Sequence, residues 1–384
     1  MTIMMDTGNR IAAKAAVMAR PEVVAAYPIT PQTTLVEAIA EYVAKGEFKG
    51  DYICVESEHS AMCACIGASA AGSRTFTATS SHGLLLMHEM LHWAALARLP
   101  VVMCNINRVI GPGWNIWVEE NDSISQRDTG WIQFYCSSNQ EIFDTVIQAF
   151  KLAEHAKIVL PVMVNLNAFV LSHTSMPAQI PSQQVIDKYL GKYVPQWKLD
   201  IDNPTTFGNI IGPADYYKVR WAMQDAQNNA KKLIPQIAEE WKKLSGYYHG
   251  DLLEYYKCKG AEHILLSMGA IGAESKMAID ELQKAGMNIG LARVRVFRPF
   301  PKEEIIQLGK QADLIVIDRN ISIGSEGALF NEVKAALYSE SDAKVHGFIA
   351  GLGGKDVTYQ DIEAMCTKSM KGAAKEQEWY GMEV

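Results

Sequence analysis

Four short polar motifs each follow a predicted β-strand in the first part of the chain, and their residue types are suited to chemistry. They read AYPITP (26–31), ESEH (56–59), TSSHG (79–83) and NR (107–108). Ligands of parallel sheets bind where the strands end, so each motif lies where a ligand would be recognised. Each motif also has a structural interpretation, and the residue types alone leave both open.

The ESEH motif places Glu58 between a predicted strand and a predicted helix of small residues. A glutamate with apolar neighbours keeps a raised pKa and can share a proton with a ligand nitrogen. The structural alternative is a helix N-terminus, where the helix dipole favours acidic residues in any case. The sequence does not separate these two roles.

The other three motifs offer hydrogen-bond donors. Thr30 stands between two prolines, either as a presented hydroxyl or as part of a structural turn. The hydroxyls and amides around Ser81 would bind an anion or cap the next helix. Arg108 suits a carboxylate, because its planar guanidinium can bind both oxygens. The loop at 111–128 carries acids and two tryptophans and is a candidate lid.

The H-E-x-x-H motif HEMLH (88–92) is the sharpest formal match to a metal site. On a helix, His88 and His92 would share one face and hold Zn²⁺, with the glutamate between them as general base. The flanking sequence is apolar, no G-x-x-H continuation follows, and only Glu119 and Glu120 are nearby candidates for a third ligand. A zinc-dependent hydrolase is therefore an alternative that a metal assay would test.

Composition limits the function classes. The 384 residues include 36 basic and 43 acidic side chains, for a net charge of −7. With no basic block, the chain is a poor candidate for nucleic-acid binding. No apolar run is long enough for a membrane span, and residues 1–20 do not have the pattern expected of a signal peptide. Seven cysteines without a C-x-x-C motif indicate reduced, buried thiols in the cytoplasm, and no usual spacing lets them form an iron–sulfur or zinc site.

A parallel α/β sheet is the fold expected to position the four motifs. In the first domain, residues 1–176, the predicted strands are 23–27, 51–55, 74–80, 100–105 and 158–164, and the predicted helices are 33–42, 58–71, 84–99 and 141–155. Their apolar strands lack alternation, which indicates burial on both faces. Residues 177–258 are interpreted as a proline-rich connector with a long helix at 218–244. A second α/β domain, 259–384, has predicted strands 263–267, 289–296 and 314–318 and helices 274–285 and 328–338.

Several blocks, in this order, carry a family resemblance. They are YPITPQT (27–33), VESEHSA (55–61), GSRTFTATSSHGLLLMHE (72–89), LPVVM…NR (99–108), SISQRDTGWIQFY (123–135), FRPFP (297–301) and GLGGKDVT (351–358). Together they resemble the α subunit of the 2-oxoacid:ferredoxin oxidoreductases, the pyruvate:ferredoxin oxidoreductase family, over nearly the whole chain. The resemblance implies a pyrimidine-side thiamine-diphosphate domain, a transketolase-C-terminal-like domain, and no zinc at 88–92.

The resemblance also implies oxidative decarboxylation of a 2-oxoacid to acyl-coenzyme A and CO₂, with thiamine diphosphate as cofactor and coenzyme A as co-substrate. Glu58 matches the glutamate that engages the aminopyrimidine ring, Thr30 would hydrogen-bond the substrate, and Arg108 would pair with its carboxylate. The other residues expected at the cofactor are Pro28, Ile29 and His59. The other residues expected to line the substrate pocket are Ser81, His82, Trp114 and Asn115.

Two missing motifs imply partner chains. The GDG motif that binds diphosphate and Mg²⁺ in thiamine enzymes is absent, and so are the cysteines for 4Fe-4S iron–sulfur clusters. The resemblance therefore implies a β subunit that holds the diphosphate and Mg²⁺, a γ subunit, a cluster-bearing ferredoxin-like δ subunit, and ferredoxin or a similar acceptor. The chain alone is expected to be inactive. A non-catalytic structural subunit is the other alternative, which Glu58→Gln would distinguish.

Departures from the usual family pattern bear on the substrate. His82 stands where pyruvate enzymes usually have Gln, Trp114 replaces a smaller residue, and residues 118–122 read VEEND. Thr30 argues against oxalate. Extra aromatic surface near Arg108 would favour a bulky acid, so branched-chain 2-oxoacids and phenylglyoxylate compete with pyruvate.

Overall fold

The computed structural model describes residues 2–382, which form three β-sheets with flanking helices. The first part of the chain contains β1 (Thr2–Thr7), α1 (Gly8–Met18), β2 (Val23–Ala26), α2 (Thr33–Ala44), β3 (Asp51–Cys54), α3 (Glu58–Ala70), β4 (Thr75–Thr79), α4 (Ser81–Leu86), α5 (His88–Leu96), β5 (Val102–Asn107), α6 (Asn121–Ile124), β6 (Ile132–Tyr135), α7 (Asn139–Ala153) and β7 (Val162–Asn167). The rest contains β8 (Ser175–Ile180), α8 (Gln183–Leu190), α9 (Pro213–Ser245), β9 (Leu253–Tyr256), β10 (His263–Ser267), α10 (Gly269–Lys284), β11 (Ile289–Val294), β12 (Val296–Arg298), α11 (Lys302–Gly309), β13 (Asp313–Asp318), α12 (Ala328–Leu337), β14 (Val345–Ile349), α13 (Tyr359–Met370) and β15 (Gln377–Trp379).

The first sheet has seven strands in the order β12-β6-β7-β5-β4-β2-β3. It is parallel apart from β12, which runs antiparallel to β6. Every residue of β4, β5, β6 and β7 is buried, as expected for apolar strands inside a parallel sheet. The carboxyl ends of β2, β3, β4 and β5 therefore lie along one edge, where the four polar motifs begin.

The second sheet has six strands in the order β15-β14-β13-β10-β11-β9, parallel except for β9. The predicted α/β class is confirmed, but the predicted strand 289–296 is two strands. It divides at Arg295, so that β11 pairs in the second sheet and β12 crosses to the first. The second sheet also includes β9, which lies in the segment interpreted as a connector.

The structure also differs from the expected elements elsewhere, as in the following three places. The predicted helix 84–99 is two helices, because Met87 forms a turn between α4 and α5. Residues Ile132–Tyr135 form β6, a central strand that was expected as part of no element. The N-terminal β1 pairs with β8 in an antiparallel ribbon, so backbone pairing between distant segments gives both an extended conformation.

A buried ion cluster joins the two large sheets where the chain crosses between them. Arg293 Nη2 and Arg295 Nε each donate to Glu141 Oε1 at 3.0 Å, and the Ser137 amide donates to Oε2 at 2.8 Å. Arg293 also pairs with Glu254 at 2.7 Å. Burial alone would raise the pKa of Glu141, but the neighbouring cations lower it to about 2. Glu141, Arg293 and Arg295 are called the junction cluster below.

All seven cysteines are free thiols. Within the described range 2–382, no helix combines the length and apolarity needed to cross a membrane.

Candidate active site

The candidate site begins at the N-terminus of α3. Ser57 caps this helix by accepting a hydrogen bond from the Ser60 amide at 3.2 Å, which makes Glu58 the first helical residue. The Glu58 side chain is turned inward and is only 6% exposed, yet its carboxylate has no hydrogen-bond partner among residues 2–382. A buried carboxylate without a partner is costly, so this position has the character of a ligand-binding group.

Gly83 provides the space for this carboxylate. A Cβ atom built on Gly83 would lie 2.5 Å from both Glu58 Oε1 and Thr79 Oγ1. The Thr79 hydroxyl is also buried without a partner in the described part of the chain. The motif TSSHG therefore contributes a glycine whose missing side chain leaves space for the Glu58 carboxylate; this space is called the Gly83 cradle below. The sequence alone did not indicate this role.

Arg108 lies directly after β5 on the same sheet edge. Its Nη1 donates to the Thr30 carbonyl at 2.5 Å, and its Nη2 lies 3.3 Å from His82 Nδ1. Its Nε is buried and, among the residues described, has no partner. Burial lowers the pKa of Arg108, while the negative charges of Asp122 and Glu58 oppose this. Arg108 thus offers a charged N–H group to an incoming anion.

Two amide side chains that the sequence analysis missed hold the PITP loop. Gln32 Nε2 donates to the Ala78 carbonyl at 2.7 Å and so ties the loop to β4. Asn9 Nδ2 donates to the Pro31 carbonyl at 2.7 Å and thereby ties it to α1. Gln32 stands in the quoted block YPITPQT, but its partner is 46 residues away along the chain. The loop is therefore positioned by long-range contacts, with Thr30 exposed at its tip.

His82 joins the site to the following loop. Its Nε2 accepts a hydrogen bond from the Gly111 amide at 3.1 Å, and its ring lies 4.8 Å from that of Trp114, centroid to centroid. Its Nδ1 lies 3.2 Å from Ser81 Oγ. Trp114 is 72% exposed and covers one side of the His82 ring.

The structure brings together Glu58, Thr30, Arg108 and His82, and the other expected residues make the following contacts. Ser81 is fully buried, and its hydroxyl donates to the Val109 carbonyl at 2.5 Å. Asn115 Nδ2 donates to the Gly353 carbonyl in the second domain at 3.3 Å. The side chain of His59 lies beside Cys63, with Nδ1 and Sγ 3.6 Å apart. Pro28 is exposed and Ile29 half-buried in the loop before α2.

The later part of the loop at 111–128 is fastened to the second domain. The Gly354 amide of that domain donates to the Val118 carbonyl at 3.0 Å, while Trp117 packs on Phe169 of the first domain with centroids 4.6 Å apart. Burial raises the pKa of Glu119 to about 7. This part would have to break those contacts to move as a lid, and Asn115, next to Trp114, would have to release the Gly353 carbonyl as well.

The H-E-x-x-H residues do not converge on a third ligand. His88 and His92 lie 5.0 Å apart, ring to ring, but His88 Nδ1 contacts Gln126 Oε1 at 2.5 Å. Glu120 instead accepts a hydrogen bond from Asn167 at 3.2 Å. Across residues 2–382 no group of three or more His, Cys, Asp or Glu side chains is arranged to hold a metal ion.

Asp122 is a further residue that the sequence analysis did not select. Its carboxylate is fully buried behind the site and accepts hydrogen bonds from the amides of Ser81 and Arg108 at 3.0 and 3.2 Å. The sequence signal for it is weak, because Asp122 lies among the acids of VEEND and its partners precede it by 14 and 41 residues.

Comparison with known proteins identifies the family. Residues 14–239 match the family model described as "Pyruvate flavodoxin/ferredoxin oxidoreductase, thiamine diP-bdg", and residues 261–362 match "Pyruvate:ferredoxin oxidoreductase core domain II". Ketoisovalerate oxidoreductase subunit VorA of Pyrococcus horikoshii is 46% identical over 382 residues, 97% of this chain and 96% of that protein. Pyruvate synthase subunit PorA of Methanocaldococcus jannaschii is 47% identical over 380 residues, 98% and 97% of the two chains.

Two solved structures share the fold. The 2-oxoglutarate:ferredoxin oxidoreductase of Magnetococcus marinus, with 2-oxoglutarate, coenzyme A and succinyl-CoA bound, gives a TM-score of 0.75 at 18% identity, and the match covers 96% of this chain and 65% of that one. A split-gene transketolase, an inactive β4 tetramer, gives 0.58 at 13% identity over 95% and 98% of the chains. At these identities the likeness shows the fold alone, which is that of thiamine-diphosphate-binding domains.

Fold and sequence together define the class as a 2-oxoacid oxidoreductase subunit. The chain belongs to the pyruvate:ferredoxin oxidoreductase family, and its relatives are subunits of multi-subunit enzymes.

Proposed function

We propose that this chain is the α subunit of a thiamine-diphosphate-dependent 2-oxoacid:ferredoxin oxidoreductase that forms acyl-coenzyme A and CO₂. One observation carries the proposal. Among residues 2–382 the buried carboxylate of Glu58 has no hydrogen-bond partner, and it lies on the same sheet edge as Arg108, a buried cation whose Nε has none either. The pair offers an acceptor for a cofactor N–H and a donor for a substrate carboxylate.

The residues at this edge fit the aminopyrimidine of thiamine diphosphate. The absence of a side chain at Gly83 leaves room for the Glu58 carboxylate, and the adjacent Thr79 hydroxyl, without a partner in residues 2–382, adds a second polar group. When bound, this cofactor supplies the carbon nucleophile that attacks the 2-oxoacid carbonyl. Glu58 would hold a proton at the ring nitrogen that it contacts and so stabilise the imino tautomer. Pro28, Ile29 and His59 are proposed to border the same ring.

Arg108 is proposed to bind the substrate carboxylate, and the Thr30 hydroxyl to hydrogen-bond the substrate beside it. The Trp114 and His82 rings add an aromatic wall next to Arg108. The proposed substrate is pyruvate or a bulkier branched or aromatic 2-oxoacid such as phenylglyoxylate. Relatives named for ketoisovalerate and for pyruvate are equally similar to this chain, at 46% and 47% identity, so overall identity does not choose between them.

The complete enzyme is proposed to need partner chains. A β subunit would hold the diphosphate and Mg²⁺, and γ and ferredoxin-like δ subunits would complete the complex, with 4Fe-4S clusters passing electrons to ferredoxin in the cytoplasm. Within this chain we propose a thiamine-fold domain at 1–176, a connector at 177–258 and a transketolase-C-terminal-like domain at 259–384.

The test uses the native complex, purified without oxygen together with its co-purifying subunits. Viologen reduction is followed with pyruvate, 2-oxoisovalerate, 2-oxoglutarate and phenylglyoxylate, each with and without coenzyme A. Coenzyme-A-dependent reduction with pyruvate or one of the bulkier acids is expected. A complex that contains thiamine diphosphate and clusters but reduces viologen with none of these acids would contradict the substrate proposal. A complex that lacks both would contradict the proposed function itself.

A further inference from the structure

The short helix α6 lies between the candidate site and the second domain and contacts both. Its fully buried residue Asp122 faces the site, and its neighbour Asn121 faces the second domain. Because Asn121 and Asp122 are adjacent, a shift of the second domain that moves Asn121 would also move Asp122.

On the site side, the Asp122 carboxylate collects five hydrogen bonds. The donors are the amides of Ser81 (3.0 Å), Arg108 (3.2 Å) and Ser123 (2.7 Å) and the side-chain amides of Asn105 (3.3 Å) and Asn107 (2.8 Å). One carboxylate therefore fixes the start of α4, the end of β5 and the turn into α6. Burial raises the pKa of Asp122, and the hydrogen bonds from Asn107, Ser81, Arg108 and Ser123 oppose that shift.

Two of these donors, Ser81 and Arg108, lie where the backbone conformation depends on contacts with other segments. Ser81 has a φ of +48°, a left-handed conformation that a non-glycine residue keeps only when its surroundings enforce it. Arg108 leaves the sheet at this point, and within the described range the clear acceptor for its guanidinium is the Thr30 carbonyl. The direction in which Arg108 points is thus set largely at its backbone, where Asp122 binds it.

On the other side, the second domain holds α6 through backbone groups. Asn121 Nδ2 donates to the Ile321 carbonyl at 2.7 Å, and its Oδ1 accepts from the Ile321 amide at 2.9 Å. The Glu120 amide donates to the Arg319 carbonyl at 3.1 Å. These three bonds join α6 to the segment that follows β13.

We propose that Asp122 is a positioning residue for Arg108 and that the second domain holds Asp122 in place through Asn121. The inference rests on the proposed function, because Arg108 is assigned there to the substrate carboxylate. It gives the second domain a role in substrate binding although the residues it contributes do not touch the substrate.

The first variant is Asn121→Ala in the full complex. It removes both hydrogen bonds to Ile321 and leaves every side chain of the candidate site unchanged. The KM for the 2-oxoacid is expected to rise about tenfold, since a neutral hydrogen bond of this kind is worth a factor of a few in an equilibrium. The kcat and the KM for coenzyme A should change little. Asn288→Ala is the matched control, because Asn288 also donates its amide to a backbone carbonyl, that of Gly260, but has no connection to α6.

A readout independent of turnover is hydrogen exchange of the Ser81 and Arg108 amides in the complex. Both amides donate to Asp122, so they should exchange faster in Asn121→Ala and at the wild-type rate in Asn288→Ala. A general loss of stability would instead speed exchange throughout the first domain and lower the amount of active complex without raising one KM selectively.

A double-mutant cycle with Arg108→Gln shows whether the effect passes through Arg108. The KM increase caused by Asn121→Ala should be largely absent in the Arg108→Gln background. Asp122→Asn is the stronger second variant, because it places an N–H₂ group opposite two backbone donors. An unchanged KM together with unchanged exchange in Asn121→Ala, or an equal KM increase in both backgrounds, would overturn the inference. A wild-type complex inactive with every 2-oxoacid would instead overturn the proposed function.

Discussion

The candidate site and the junction cluster both contain buried charged side chains, but these are hydrogen-bonded to one another only in the junction cluster. In the junction cluster, Glu141 accepts hydrogen bonds from two arginines and a serine, and Arg295 uses its remaining donors on Thr145 and Gln148. At the site, Glu58 has no partner in the described chain and Arg108 keeps an unpaired Nε. Fully paired charge in the interior supports structure, whereas charge left unpaired points to a missing ligand.

Glu141→Gln should break the junction cluster and produce the largest loss of stability. Removing the carboxylate's charge leaves Arg293 and Arg295 buried without full compensation, which costs about 3–5 kcal/mol of unfolding free energy. Chemical denaturation of the purified chain measures it. Glu41→Gln is the control, since the Glu41–Arg10 pair is exposed and should leave the unfolding midpoint nearly unchanged. Equal midpoints for the two variants would refute the structural role of the cluster.

The stabilisation that the junction cluster provides should decrease as the pH falls from 4.5 towards 2. The pKa of Glu141 is lowered from 4.5 to about 2, so its contribution is complete above pH 4.5 and is lost as the pH falls towards 2. The contribution is roughly 3 kcal/mol by linkage. The difference in unfolding free energy between the wild-type chain and Glu141→Gln should therefore shrink between pH 4.5 and pH 2. A constant difference across this range would count against the assignment.

Gly83→Ala should damage the site while sparing the fold. The new methyl group would lie 2.5 Å from both Glu58 Oε1 and Thr79 Oγ1, so these two side chains would have to move while the backbone stays in place. A displaced carboxylate should lower turnover by about 100-fold, because misplacing a catalytic group by about 1 Å has effects of this size. Gly67→Ala in α3 is the matched control, since nothing lies within 4 Å of its Cβ position. Similar activity in the two variants would show that the cradle is not needed.

The sequence predicted the part of this picture that depends on local pattern. Apolar strands followed by polar motifs were enough to expect Glu58, Thr30 and Arg108 at one sheet edge, and the structure places them there. The expectation that Ser81 lines the pocket stays a prediction, although its hydroxyl is directed to Val109. Its neighbour His82 does face Arg108.

What the sequence did not predict depends on contacts between distant residues. Glu141 meets Arg293 and Arg295 across 152 and 154 residues, and no local pattern links them. The same holds for Asn121, whose partner Ile321 is 200 residues away. Such pairs become visible only when the two domains are placed against each other.

The most direct test of the account is Glu58→Gln in the oxygen-free complex, with viologen reduction and assembly measured together. If this carboxylate lacks a partner because it serves the cofactor, the rate with the preferred 2-oxoacid should fall on the order of 10²–10⁴-fold. Assembly should remain, and the unfolding temperature should be unchanged or higher, since a buried unpaired charge has been removed. Wild-type turnover by this variant would contradict the proposed role of the site and favour a structural subunit.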